Sequence, residues 1–344
     1  MSCCATVRLA MIGWLVGLCL LAISGEGLAD QARGWEKGKG YGWIWGQADE
    51  IGALNALTPQ KVLKSISLVR QGKVYDLGVR FDRTSFIWPG HSPTEVIAFR
   101  TPEGLKRQQD LPVYQPGANR AQVTWHSAAV FINDNVGTQI DSLSHIAIGE
   151  DNHWYNGYRE SEWGGNWGPR KASADKIPPI VTRGVLIDIA GYKGLQALPS
   201  KYSISPQELQ QALAAQRVEI EPGDAVFIRT GTLRYWGETG ADKARLAEHD
   251  SAGISPEAAR WLVEQKGAVL IGADNSGLET LAWKPGEFYP AHAYLLVEQG
   301  VYIGELHYLE ELAKDKVYEF LYICTTNKIK GTSAGFTLRP IAIR

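Results

Sequence analysis

Asn135-Val-Gly-Thr-Gln139-Ile-Asp141-Ser-Leu-Ser-His145 gathers two carboxamides, a carboxylate and an imidazole around a Gly-Thr turn. Gln139 and Asp141 are two positions apart, so on an extended segment their side chains share one face. Asn135 precedes Gln139 by four positions and His145 follows Asp141 by four, so both keep the same parity. One strand would then present all four groups to one pocket, provided the Gly-Thr turn keeps the alternation. Such a pocket can hold a divalent metal with a free base beside it. The same residues also read as turn chemistry, followed by a satisfied, half-buried histidine. Two of the four groups are weak ligands, and spacing alone leaves both readings open.

Outward from this stretch, the chain alternates between short apolar runs and helical signals. Residues 185–189, 225–229 and 268–273 read as strands. Ser205-Pro-Gln-Glu208 is a capping box that opens a helix to about residue 216, and Ser255-Pro-Glu opens another to about residue 265. Upstream, Thr58-Pro-Gln-Lys starts a helix closed by Gly72, and a strand begins at Val74. Residues 122–132 alternate as a strand feeding the central stretch, and residues 101–120 are polar enough to form a flap. Residues 150–178 have no period and read as a long aromatic loop. Short apolar strands between helices predict an α/β fold with a mostly buried sheet, in one domain over residues 30–344.

Composition excludes some partners. The chain is 44% hydrophobic and 21% charged with a net charge of −2, which leaves no electrostatic footprint for nucleic acid or an anionic membrane. Arg8 precedes an apolar run from Leu9 to Ile23, too short for a membrane span, and Gly27 and Ala29 are the small residues a signal peptidase prefers. Residues 1–29 therefore read as a secretory signal, with a secreted or periplasmic product that no longer touches the membrane. The mature chain would keep only Cys324, after the apolar Leu321-Tyr-Ile323, where buried filler is the expected role.

The central stretch resembles the His-x-Gly-Thr-His-x-Asp-x-Pro-x-His signature of the metal-dependent cyclase family, which includes bacterial kynurenine formamidase, isatin hydrolase and trans-dienelactone hydrolase. Gly137, Thr138, Asp141 and His145 match it; Asn135 and Gln139 replace the two leading histidines, and Leu143 replaces the proline. Trp88-Pro-Gly90 resembles the family's Trp-Pro-Gly segment, and Arg183 through Ile189, Gly223 through Gly231 and Ile271 through Ser276 resemble its buried strands. His292-Ala-Tyr-Leu-Leu296 and Gly300 through Glu305 resemble its His…Leu-Leu…Gly…Glu stretch, and residues 328–343 its C-terminal strand pair. The matches run in the family's order from about residue 70 to the end.

The resemblance implies a swivelling β/β/α single domain and a hydrolase for small cyclic amides, lactones or aryl-formamides. It implies Asp141, His292 and Glu305 as metal ligands, His145 as the acid/base, Trp88 as a substrate-lining residue, and a dimer or tetramer. Asn135 and Gln139 occupy ligand positions with the wrong residue type. Carboxamide oxygens are neutral, hard donors, which tilts the site from zinc toward manganese or magnesium and favours one firmly bound metal over two. The expected arrangement is one metal on Gln139, Asp141 and either His292 or Glu305. Trp154, Tyr155 and Tyr158 of the aromatic loop are further candidates to line a flat substrate's pocket.

The sequence raises two rival classes. Gly331-Thr-Ser333-Ala-Gly335 matches a nucleophile elbow, but neither an acid nor a histidine follows Ser333, so a serine hydrolase of that kind is rejected. The substitutions at Asn135 and Gln139 motivate the other, a non-catalytic periplasmic small-molecule or metal-binding protein on the same scaffold.

Overall fold

The structure is a computed structural model that describes residues 34–108, 111, 117 and 119–344. Residues 1–29, the expected secretory signal, lie outside them. Among the described residues no helix is long and apolar enough to cross a membrane.

The strands are β1 (Val74–Asp76), β2 (Glu95–Arg100), β3 (Ser127–Phe131), β4 (Gln139–Asp141), β5 (Ile180–Asp188), β6 (Ser203–Ile204), β7 (Ala225–Arg229), β8 (Gly253–Ile254), β9 (Leu270–Ala273), β10 (Tyr302–Glu305), β11 (Glu319–Cys324), β12 (Ala334–Gly335) and β13 (Ile341–Ile343). Nine of them form one sheet in the order β1-β13-β11-β5-β7-β9-β10-β4-β12. Its centre, β5-β7-β9-β10, is parallel, and antiparallel strands extend it on both sides. Ile187, Phe227, Ile228, Ile271 and Ile303 in that centre are fully buried, as a sheet covered on both faces requires. Each such side chain contributes about 1.5–3 kcal/mol of burial free energy.

The helices that cover the sheet begin as their sequences dictate. Thr58, Ser205 and Ser255 cap the helices Pro59–Ile66, Pro206–Gln216 and Pro256–Arg260, each with proline in its first turn. Lys61 of the first helix is buried and donates to Asp224 Oδ1 at 2.8 Å, while Arg183 Nε donates to the other oxygen at 3.1 Å. That contact explains why β5 starts earlier than its apolar run: polar Thr182 and Arg183 pair with β11, and Arg183 has an internal partner.

The two ends of the sheet are joined by a short crossing. Only residues 336–340 separate β12, at one edge, from β13, near the other. Leu338 N donates to Thr138 O and Leu77 N to Pro340 O, so this segment bonds to both flanks and curls the sheet. The expected C-terminal strand pair is therefore two strands that do not pair with each other: β12 lies on β4, and β13 lies between β1 and β11.

The strand expected over residues 122–132 is confined to β3. It pairs with β2 in a separate ribbon that leaves Ile97, Phe99, Val130 and Phe131 exposed. Residues 150–178 hold only short helical turns, as expected of a loop. Cys324 is buried and free.

Candidate metal centre

The site is built where β4 lies between β10 and β12. Gln139 pairs opposite Glu305, and Asp141 opposite Ala334. Strand alternation places Gln139 and Asp141 on one face, and register adds Glu305 to it. The strand is too short to carry the other two residues of the motif. Asn135 reaches in from a turn that needs Gly137 at φ +64°, where a Cβ would also crowd Thr337 Cγ2 at 3.2 Å. His145 enters from the turn after β4, its N–H donating to Ser142 O at 3.1 Å. The motif thus converges on one pocket through one strand and two turns.

His292 comes from the other side, in the helical turn Pro290–His292 that follows Tyr289 at φ +49°. Its Nε2 lies 3.5 Å from Glu305 Oε1 and 3.9 Å from Asp141 Oδ2. Asp141, His292 and Glu305 are buried, and one ligand atom from each lies within 4.8 Å of the others. Glu279 Oε1, behind His292, accepts from His292 Nδ1 at 2.7 Å and from its backbone N at 2.9 Å. That bond turns Nε2 toward the two carboxylates. Glu279 carries no sequence signal for this role, being a lone acid in irregular sequence.

Electrostatics mark the spot as wanting a cation. Burial, then the Asp141 charge, pushes Glu305 up to about 8. Burial opposes the imidazolium of His292, but hydrogen bonds to Glu279 and Glu305 prevail and raise it to about 10. Among the described residues, neither Asp141 nor Glu305 pairs with a lysine or arginine, and Asp141 Oδ2 and Gln139 Oε1 are buried without a hydrogen bond. Two carboxylates and an oriented imidazole around orphaned oxygens fit a divalent metal ion.

The two carboxamides expected as ligands form a hydrogen-bonded pair beside the carboxylates. Gln139 turns its amide nitrogen inward and donates to Glu305 Oε2 at 2.7 Å, and to Asp141 Oδ1 and Asn135 Oδ1 at 3.2 Å each. Asn135 stands behind it, its own Nδ2 donating to Asp134 Oδ1 at 2.9 Å. Clustered carboxylates demand a donor, and the glutamine amide supplies one. In this arrangement Gln139 and Asn135 hydrogen-bond around Asp141 and Glu305, while the buried Gln139 Oε1 stays without a partner and keeps the expected carboxamide contact to an ion open.

A cavity of about 250 Å³ opens beside this set, lined by Trp88, His91, Asn135, His145, Tyr289, His292 and Glu305 among others. Trp88 and His145 are where the sequence placed them. A Cβ on Gly90 would lie 1.9 Å from the Trp88 ring, so glycine lets that indole fold back over its own loop. Sequence reasoning missed His91 and Tyr289, whose rings lie 5.4 and 6.4 Å from Trp88. The signal for His91 was its place directly after Trp88-Pro-Gly90. Burial, then His145 nearby, lowers the pKa of His91.

Tyr155 is not on this wall. Its ring is fully buried in the core and its hydroxyl donates to Asp49 Oδ2 at 2.7 Å. Trp154 and Tyr158 donate instead to backbone carbonyls, at Lys171 O and at Gln47 O and Asp49 O. This part of the aromatic loop packs against the segment around residues 47–49 and seals the core, which is why Trp154, Tyr155 and Tyr158 are unavailable to a ligand.

A curled, mixed sheet carries a buried Asp-His-Glu set beside an aromatic cavity, the layout of an α/β protein with a candidate metal site. The chain belongs to the Cyclase family, whose family model matches residues 75–280. A solved structure described as a novel cyclase is 30% identical, with a TM-score of 0.75 over 88% of this chain and 98% of its own. Isatin hydrolase A from Ralstonia solanacearum is 18% identical, with a TM-score of 0.55 over 79% and 92% of the two chains. Isatin hydrolase A from Labrenzia aggregata, bound to benzyl benzoate, is 19% identical, with a TM-score of 0.55 over 82% and 97%. At those identities the two hydrolases establish a shared fold. No curated protein matches the chain.

Proposed function

We propose that this protein is a metal-dependent hydrolase that opens a C–N or C–O bond in a small, flat cyclic amide, lactone or aryl-formamide. The observation that carries the reading is the buried Asp141, His292 and Glu305 set facing one cavity with His145 and Trp88. Asp141, His292 and Glu305 would hold one divalent metal, manganese or zinc. When bound, such an ion supplies Lewis-acid activation of water and of the substrate carbonyl.

The chain's own residues do the rest. Trp88 and Tyr289 present ring surfaces to a flat substrate. His145 takes the proton of the attacking water and returns it to the leaving nitrogen or oxygen. Glu279 holds the His292 ring in place. The names of the two isatin hydrolases that share the fold support a cyclic amide as the first substrate to try.

The test is turnover of a panel of cyclic amides, lactones and aryl-formamides, with and without chelation. Turnover that chelation removes and metal restores is the expected result. The Gln139 amide set between the carboxylates favours a second reading, a binding protein without catalysis. Tight metal or ligand binding with no turnover would decide for it. We also infer export, read from residues 9–29; the secreted product should begin at Asp30, which N-terminal sequencing checks.

A further inference from the structure

Ser333, rejected above as a nucleophile because nothing suitable follows it, has an acid and a histidine that precede it. Asp134 Oδ2 accepts from Ser333 Oγ at 3.0 Å, from Ser333 N at 2.6 Å and from Ala334 N at 3.3 Å. Ser333 Oγ also lies 3.4 Å from each of His145 Nδ1 and Asn135 Nδ2. Ser333 immediately precedes β12, whose Ala334 pairs with Asp141, so sheet register holds this cluster against the metal centre. His145 and Asn135 line the cavity and Ser333 does not.

The geometry differs from a nucleophilic triad. In a triad the serine gives its proton to the histidine, and the acid bonds the histidine's other nitrogen. Here the acid bonds the serine, and the histidine meets the serine through Nδ1. A serine hydroxyl has one proton and two lone pairs. The Asp134 carboxylate, acceptor only, takes that proton. The lone pairs are left facing Nδ1 and the Asn135 amide, so Nδ1 must carry hydrogen to bond there.

We propose that Asp134 and Ser333 are positioning residues that fix His145 as the Nδ1–H tautomer and present a bare Nε2 to the cavity. The inference deepens the hydrolase reading, because a bare Nε2 is what a general base needs on the substrate side. Asp134 is in addition a negative charge bonded to the serine, so an imidazolium formed when Nε2 takes a proton is steadied through the Ser333 hydroxyl. Asn135 gains a role from the same cluster. Its amide donates to Asp134 and Ser333 and ties the relay to Gln139, which bonds Asn135 Oδ1.

The experiment is long-range ¹H–¹⁵N correlation NMR on the full chain labelled with ¹⁵N-histidine, with His145 assigned by the signal lost in His145→Gln. The expected wild-type pattern is hydrogen on Nδ1 and none on Nε2. Ser333→Ala should shift His145 toward the Nε2–H form that free imidazole side chains prefer. On a substrate the panel identifies, the same variant should lose about tenfold in kcat with KM unchanged, and Ser333→Thr, which keeps the hydroxyl, should recover most of it. An Nε2–H tautomer in the wild type overturns the proposal and needs no variant to fold. So does Ser333→Ala with tautomer and kcat both unchanged. Full kcat in His145→Gln would instead remove the base assignment, and the tautomer measurement would still decide the positioning claim.

Discussion

Glu279→Gln is the most discriminating perturbation of the metal centre, because it keeps size and removes one acceptor. Glu279 is buried and accepts four hydrogen bonds. Oε1 takes His292 N at 2.9 Å and His292 Nδ1 at 2.7 Å; Oε2 takes Trp283 Nε1 at 3.2 Å and Ala291 N at 3.3 Å. A glutamine has one acceptor oxygen, so two of those donors must face an NH2 group. If the oxygen stays on His292, Trp283 and Ala291 are orphaned. If it turns away, Nδ1 must give up its hydrogen, and Nε2 becomes protonated and closed to metal. Two unpaired buried donors cost about 1–3 kcal/mol each, so the metal-free variant should lose about 2–6 kcal/mol of stability. Loss of the orienting bond should weaken metal binding about 10–100-fold, or roughly 1.4–2.7 kcal/mol. Denaturant unfolding of the metal-free protein and competition against a chromophoric chelator measure the two effects. Wild-type stability together with a metal Kd within about twofold of wild type would refute the role given to Glu279.

Asp141→Asn should remove most bound metal and all turnover, measured by metal analysis and the substrate panel, since an uncharged ligand replaces a carboxylate at the centre of the set. Stability of the metal-free protein should fall as pH rises. Glu305 keeps a proton between 4.5 and about 8, and His292 between 6.5 and about 10, that the unfolded chain has released. Tm of the metal-free protein should therefore drop across that span, and the Tm gain on adding metal should grow with pH; a flat pair of curves would contradict it. Asn135→His with Gln139→His should raise zinc affinity relative to manganese, because imidazole is the better zinc ligand. Unchanged selectivity in paired competition titrations would show that those positions do not reach the metal.

Much of this was legible in the chain. Two-residue alternation placed Gln139 and Asp141 on one face, and the capped helices at Thr58, Ser205 and Ser255 start where their sequences put them. The resemblance carried His292 and Glu305 to within reach of Asp141. What sequence could not show was direction and partner. Tyr155 and Trp88 are both aromatics in glycine-rich loops, yet one packs inward against Asp49 and the other onto the cavity. Glu279 and Ser333 act through bonds to residues far along the chain, which no local pattern encodes. The orientation of the Gln139 amide follows from the charges around it, not from its own position in the strand.

The curled sheet also decides when the site comes into being as the chain folds. Gln139 and Glu305 are 166 positions apart, and Asp134 and Ser333 are 199 apart. Closing such loops carries its full entropic cost before any of these contacts forms, so pairings of this range come late. A metal ion held by Asp141, His292 and Glu305 would therefore find no half-built site on the collapsing chain to organise. Its influence falls on the return path: added metal should slow unfolding strongly while leaving the folding rate nearly unchanged, as expected for interactions absent from the transition state. On the proposed reading, a bound ion would act as a kinetic latch on a fold that assembles without it.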